Sequence, residues 1–394
     1  MGKTSTTPVS LPGITTNVAG AVRTSQMTTL FDGKALGAQA QDMMEIAGTG
    51  VHVFSENISE LSVGPGEYMI IQSKRRMPYF SGKTQVVELT MDSFALEPGI
   101  IKRAGYYSSE TADPYENYDG FMLVSDGDAN DFRLEVWRAG SLKYSASITT
   151  PSANYFLEEY DWDNFTVLFF EFLWLGGAAL VLWMATKDGF IPIGKIEHVG
   201  ISPETMIVSP NQRVRYEIRS TTGSGSLSYI CSQVSTEGST EESGKACSMF
   251  NPTPVAVDDV NDHYVLLGVR QKSGFEDIAT QITGIAVGTE GTADSGVAYL
   301  VKGGTISAPL TWSDSDSGRF EVGIPGSEIT YTPGTGRRLA SIPVSRYGAS
   351  EPLKQEFLSW LSSNLDGTAE EYYLVYMPVT PNSDVYGIMN LKEY

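Results

Sequence analysis

The stretch NFTVLFFEFLWLGGAALVLWMATKDGFIPIGKIEHV, from Asn164 to Val199, decides how this chain is read. It holds the longest apolar run in the sequence, Phe165 to Ala185, and Glu171 is the only charge inside it. A run of that length reaches the roughly 20 residues that a membrane-crossing helix needs. Three features argue against such a helix. A carboxylate inside hydrocarbon costs several kcal/mol. Gly176-Gly177 falls in the middle, where a hairpin turns, and the first arm is rich in aromatic and β-branched residues, as strands are. The pattern therefore predicts three antiparallel strands, Thr166–Leu175, Ala178–Ala185 and Phe190–His198, with Lys187-Asp188-Gly189 as the second turn. Both faces of the first two strands are apolar, which predicts a central position in a sheet covered on both sides. The chain reads as soluble and β-rich.

The rest of the composition agrees. A chain of 394 residues with 40 glycines carries many short apolar runs separated by Gly, Asp, Asn and Ser, the mark of an all-β protein. Its net charge of −20 excludes nucleic acid and anionic membrane as natural partners, because phosphate binding needs a basic stripe. Lys74-Arg75-Arg76, Lys102-Arg103 and Arg337-Arg338 are short and isolated, and read as strand edges or salt-bridge donors. Two cysteines, Cys231 and Cys247, make no disulfide scaffold; they could pair or stand as separate thiols. The polar start of the chain has no apolar signal segment, which places synthesis and folding in a cytoplasm.

Taken in order, residues 1–45 read as an extended arm, with a short helix around Ala35–Met44, that cannot bury enough surface to fold alone. Residues 46–250 carry strand patterns punctuated by turns. Among them are Thr84–Met91, Gly99–Tyr107, Gly120–Ser125, Phe132–Arg138, Leu142–Ile148, Gln212–Ser220 and Ser226–Gln233. NPTP at Asn251–Pro254 reads as a stiff linker. Residues 251–394 form a second β unit, with strands that include Glu328–Thr332 and Val385–Leu391. Its one helical candidate is Pro352–Leu361.

The chemistry-bearing residues are few. His52, His198 and His263 lack metal-ligand spacing, and no nucleophile elbow, P-loop or dinucleotide fingerprint is present. Asp126, Asp128 and Asp131 place oxygen ligands in one loop, a weak calcium candidate without the spacing of a helix–loop–helix calcium site. Tyr155, Tyr160 and Trp162 lie among Glu158, Glu159, Asp161 and Asp163. The rings offer a stacking platform for a sugar, and paired carboxylates about 5–10 Å apart could flank a glycosidic bond.

Several stretches resemble a family of tailed-phage virion structural proteins. They are MTTLFDGKAL (Met27–Leu36), GEYMIIQSKRRMPYFSGKTQ (Gly66–Gln85), IIKRAGYY (Ile100–Tyr107), YDGFML (Tyr118–Leu123) and FEFLWLGGAALVLWM (Phe170–Met184). VRYEIRSTTGSGSLSYICSQVSTEG (Val214–Gly238), YVLLGVRQK (Tyr264–Lys272) and NLKEY (Asn390–Tyr394) continue the likeness in order over most of the chain. The resemblance implies a concanavalin- or laminin-G-like jelly-roll sandwich followed by a second, smaller β-sandwich, both built into a virion as a tail, fibre-base or capsid decoration component. It implies no enzyme, no cofactor and no catalytic residue. Its partners would be other virion proteins, in a homo-oligomer such as a trimer or ring. On this reading Thr28, Leu30 and Phe31 belong to an assembly arm that docks on the particle. The rival expectations are a receptor-recognition module for host-surface glycans, using Tyr155, Tyr160 and Trp162, and a carbohydrate-active enzyme using Glu158 and Glu159.

Overall fold

The structure is a computed structural model, and it describes residues 26–34, 44–109, 117–148, 160–174, 179–187, 189–238, 244–290, 295–345, 349–353, 360–381 and 383–394. All regular structure among the described residues is strand. The first set comprises β1 (Met27–Lys34), β2 (Met44–Gly48), β3 (Val51–Ser55), β4 (Ile58–Val63), β5 (Tyr68–Ser73), β6 (Gln85–Asp92), β7 (Ile100–Ser108), β8 (Asp119–Asp126), β9 (Asp131–Arg138), β10 (Ser141–Ile148), β11 (Thr166–Leu173), β12 (Ala179–Thr186), β13 (Gly189–Glu197), β14 (Val214–Ser220) and β15 (Gly225–Glu237). An eight-stranded sheet runs in the order β13-β12-β11-β6-β15-β4-β3, with β1 also on β15; a seven-stranded sheet runs β10-β9-β8-β7-β14-β5-β2. Every pairing is antiparallel, and the two sheets make a β-sandwich.

The meander read from Asn164–Val199 is the β11-β12-β13 arm of the larger sheet. Register places Leu168 opposite Leu89 and Met184, and Phe170 opposite Val87 and Leu182, so period-2 alternation sends these side chains to one face. They meet Tyr106, Phe121, Leu123 and Leu134 of the other sheet in one core. Phe121 packs on Phe170 at 5.3 Å and on Phe172 at 4.9 Å between ring centroids. Each such fully buried side chain contributes about 1.5–3 kcal/mol. A one-residue irregularity in β15 between Tyr229 and Cys231 reverses the alternation, so Leu227 and Tyr229 before it and Val234 after it all reach the core.

Cover on the second face of β11–β13 is only partial. Glu171 and Val181 are buried there, whereas Phe169 and Trp183 are half-buried and Phe165, Val167 and Phe190 are exposed. The expectation of a sheet covered on both sides is corrected accordingly.

Thr28, Leu30 and Phe31 also depart from expectation. They lie in β1, which pairs with β15 from Met27↔Glu237 to Lys34↔Cys231. Leu30 and Phe31 are buried in the sandwich core, so this part of the supposed arm is an integral strand. The reason is that β15 is long: its first half bonds β4, and its second half offers the same edge to β1. The proposed helix at Ala35–Met44 lies outside the described residues except for Met44, which begins β2.

The second set comprises β16 (Lys245–Phe250), β17 (Val255–Val257), β18 (Tyr264–Gln271), β19 (Thr280–Glu290), β20 (Gly296–Lys302), β21 (Thr311–Asp314), β22 (Phe320–Ile324), β23 (Arg337–Val344), β24 (Ala349–Pro352), β25 (Glu371–Pro378) and β26 (Ser383–Glu393). They build a five-stranded sheet, β16-β26-β19-β24 with β17 on β26, and a six-stranded sheet, β21-β22-β18-β25-β20-β23. The two sheets enclose a core of their own around Leu266, Ile285, Leu374 and Met389. Glu328–Thr332 makes isolated bridges only. NPTP is no free linker: Asn251 is buried and its side chain bonds the carbonyls of Thr253 and Val385 and the amide of Gly387. The helix expected at Pro352–Leu361 falls mainly outside the described residues, and its first residue ends β24.

Candidate functional site

The sugar platform does not form as expected. Trp162 is 5% exposed and stacks on Phe132 at 4.5 Å, with Phe94 at 6.1 Å. Tyr160 stands edge-on to Trp162 at 5.2 Å, and its hydroxyl is 2.5 Å from the Thr166 hydroxyl. Burial pushes the Tyr160 phenol up to about 12. A ring closed inside the core has no face for a sugar. Phe132 of β9 and Phe94 of the loop after β6 hold Trp162 despite its acidic flanks. Tyr155, Glu158 and Glu159 lie outside the described residues.

The aspartates of the β8–β9 turn are engaged by the chain itself. Asp126 accepts the amides of Asp128 and Ala129 and receives Arg133 at 2.8 Å, and Asp131 also pairs with Arg133. Asp128 accepts the amide of Gly99 at 2.9 Å. Burial works against the Asp126 charge, but Arg133 and the turn amides outweigh it and hold the carboxyl below its ordinary value. Cys231 and Cys247 are free thiols, on β15 and β16 respectively.

Sequence reasoning missed a charged layer on the outer face of the seven-stranded sheet. Alternation in VRYEIRS points Arg215 and Glu217 away from the core, and register sets Glu217 beside Arg103. Glu217 receives Arg103 at 2.8 Å, Arg215 at 2.7 Å and the Tyr118 hydroxyl at 2.7 Å. Arg215 lies over the Tyr107 ring at 5.3 Å, and Arg103 lies over Tyr118 at the same distance. One strand pair further out, Glu135 accepts from Arg133 at 2.9 Å and from the Trp137 indole at 2.8 Å. Burial, reinforced by the Glu217 charge, raises Tyr107 and Tyr118 far enough that both phenols stay protonated. Glu217 is fully buried with both oxygens occupied by donors, so it locks the sheet face.

Beside this layer the two sets of sheets meet along a polar seam. Arg213 donates to the carbonyls of Ser73 and Lys74 and to the carbonyl and hydroxyl of Ser363. Glu370 receives Lys74 at 3.3 Å and is also paired with Lys302. Burial opposes the Glu370 charge, yet Lys302, Ser362 and Lys74 hold its carboxyl below the ordinary value. The Glu45 carboxylate accepts the amide of Leu365 at 2.6 Å, and Arg75 lies over Trp360 at 5.0 Å. Within the seam is a cavity of about 550 Å³ whose walls include Arg76, Arg213, Asp119, Glu276, Asp277 and Asn364. Among the described residues Arg76 donates to neutral acceptors, Ser108, Gln212 and the Asn211 carbonyl, and its Nε is buried without a partner. Burial, with Arg76 adding to it, pushes the Arg213 guanidinium down to about 9, so it remains charged at neutral pH. Its link to Ser363 joins positions 150 residues apart, for which the sequence carries no local signal.

The chain is an all-β protein built on β-sandwiches, and several solved structures are similar over about half of it. The legume lectin-like domain from Entamoeba histolytica matches at 13% identity and a TM-score of 0.35, over 54% of this chain and 98% of that one. The carbohydrate esterase from Shiga toxin-encoding bacteriophage phi24B matches at 12% and 0.34, over 54% of this chain and 100% of that one. An immunostimulatory antigen and pseudo beta-1,3-glucanase of Mycobacterium tuberculosis matches at 12% and 0.39, over 54% and 99% respectively. No protein-family model matches the chain, and no curated protein matches it.

Proposed function

We propose that the chain is a structural component of a tailed-phage virion, made in the host cytoplasm and acting through protein–protein assembly. The resemblance of its sequence stretches to that family motivates the reading, and the open edge of the eight-stranded sheet is the observation that carries it. Among the described residues strand β3 pairs with β4 alone, and Val51, Val53 and Phe54 on it are 59%, 49% and 40% exposed. An apolar edge strand offers unpaired backbone groups and uncovered side chains together. Monomeric proteins usually blunt such edges with charge, proline or cover. The opposite end of the same sheet is also apolar, with Phe165, Val167 and Phe190 exposed around β11–β13. A sheet with two apolar ends suits a subunit that is covered on both sides within a ring or fibre base.

The test is sedimentation of the purified chain at micromolar concentration beside Val53→Lys. The wild type should associate into a discrete species, and the variant should stay folded but monomeric, since a charge on an edge strand blocks strand addition. Association unchanged by the lysine, or a wild type that never associates, would refute the assembly role of this edge.

A further inference from the structure

The hydrogen-bond pattern of β3 dictates what its open edge can pair with. Glu56 and Asn57, which join β3 to β4, have φ of 51° and 65°, the two left-handed residues of a type I′ hairpin turn. Such a turn bonds the Ser55 carbonyl to the Ile58 amide, so Ser55↔Ile58 is a hydrogen-bonded pair of the ladder. Bonded pairs alternate with unbonded ones along an antiparallel ladder. Val53↔Glu60 and Val51↔Ser62 are therefore bonded as well, and His52 and Phe54 turn their N–H and C=O groups to the open side. The His52 and Phe54 side chains stand opposite the buried Leu61 and Ser59, on the core face of the sheet. Val51 and Val53 share the outer face with Glu60.

Two free residues on either side of one valine make a self-complementary set. With a second β3 laid antiparallel and Val53 opposite Val53, His52 of each copy faces Phe54 of the other, and both pairs exchange backbone bonds. Centring on His52 leaves Phe54 facing Gly50, whose amide already bonds the Tyr68 carbonyl, and centring on Phe54 sets His52 against the turn at Glu56. The other end of the sheet offers no such match. On β13, Pro192 has no N–H to donate, and Lys195 and Glu197 are charged and paired with each other. The net charge of −20 does not oppose the contact, because Val53 and its neighbours on β3 carry no carboxylate. The Glu60 side chains of the two copies would stand three strand spacings apart, about 14 Å, beyond the Debye length of about 8 Å at physiological salt. We infer that β3 pairs with β3 of a second copy about a two-fold axis through Val53, so that the eight-stranded sheet runs unbroken from one copy into the next. The inference rests on the assembly reading and specifies its partner at this edge, another copy of this chain and not a different protein.

The experiment is oxidative cross-linking of the full chain as Val53→Cys and as Val51→Cys, at micromolar concentration beside the wild type, read by non-reducing electrophoresis. Opposed residues of an unbonded pair have Cα atoms about 4.5 Å apart, inside the disulfide range of about 4.4–6.8 Å. The two Val51 positions lie two residues to either side of the axis, about 14 Å apart, too far to bridge. Val53→Cys should convert most of the chain to a disulfide-linked dimer. Val51→Cys should run at the mass of one chain, as should the wild type with its free Cys231 and Cys247. Both valines are exposed, so neither substitution threatens the fold. Cross-linking through Val51→Cys, alone or equally with Val53→Cys, would mean a parallel or shifted pairing and overturn the inference. No cross-link from either variant, in a chain that still sediments as an oligomer, would overturn it and leave the assembly reading standing. No cross-link together with a monomeric wild type would remove both.

Discussion

Replacing Trp162 by alanine separates a core residue from a recognition residue. The indole is 5% exposed, stacked on Phe132 at 4.5 Å with an interplanar angle of 23°, and flanked by Phe94 and Tyr160 at 6.1 and 5.2 Å. Truncating a buried tryptophan to alanine costs about 3–5 kcal/mol through lost transfer energy and the cavity left behind. About 0.5–1.5 kcal/mol of that belongs to the stacked pair, so Trp162→Phe should lose much less. The Trp162 carbonyl also accepts the Phe94 amide at 2.9 Å, and a cavity there would loosen that loop contact. In a domain of this size each kcal/mol moves the melting temperature by about 2–4 °C, so scanning calorimetry should show the sandwich melting about 6–20 °C lower. A loss under about 1 kcal/mol, the range of surface substitutions, would refute the burial argument and return the ring to the surface.

Two further perturbations address the charged layers. Glu217→Gln should cost about 3–5 kcal/mol in denaturant unfolding, because Arg103 and Arg215 would be left buried beside a neutral amide; a cost near zero would mean that solvent reaches them. Acidification should loosen the seam through Glu370, whose carboxyl is lower in the folded chain than in the unfolded one. Its contribution is complete above the ordinary glutamate value of about 4.3 and is lost as pH falls through the lowered folded value. Calorimetry from pH 7 down to about 3 should show a fall in stability that Glu370→Gln makes shallower, and an equal fall in both would rule this group out.

Local chemistry made the sandwich legible. The strands expected in the Asn164–Val199 stretch match β11, β12 and β13 to within two residues at each end. Period-2 alternation likewise marked β6, β9 and β14. What failed depends on distant partners. MTTLFDGK has only Leu30 and Phe31 as apolar anchors and an irregularity between Thr29 and Phe31. Its place in the sheet is set by β15 far along the chain. Trp162 sits in an acidic, loop-like context, and only the facing Phe94 and Phe132 decide its burial. Arg215 and Glu217 alternate outward, as solvent-facing charges do, but they are buried on the outer face of the sheet.

Strand β26 has a consequence for how the chain is made. It lies between β19 on one side and β16 and β17 on the other, so Ser383–Glu393 is an interior strand of its sheet. During translation Ile282, Ile285 and Val287 emerge from the ribosome about a hundred residues before the segment that covers them. Until Glu393 has cleared the exit tunnel, the five-stranded sheet lacks one of its interior strands, and the nascent chain exposes edges open to neighbours on the same polysome. The first sandwich waits as well, since Met27 pairs with Glu237, but its pairings are complete once Glu237 is made, well before β26 emerges. Synthesis therefore yields a finished front half carrying an adhesive, unfinished back half.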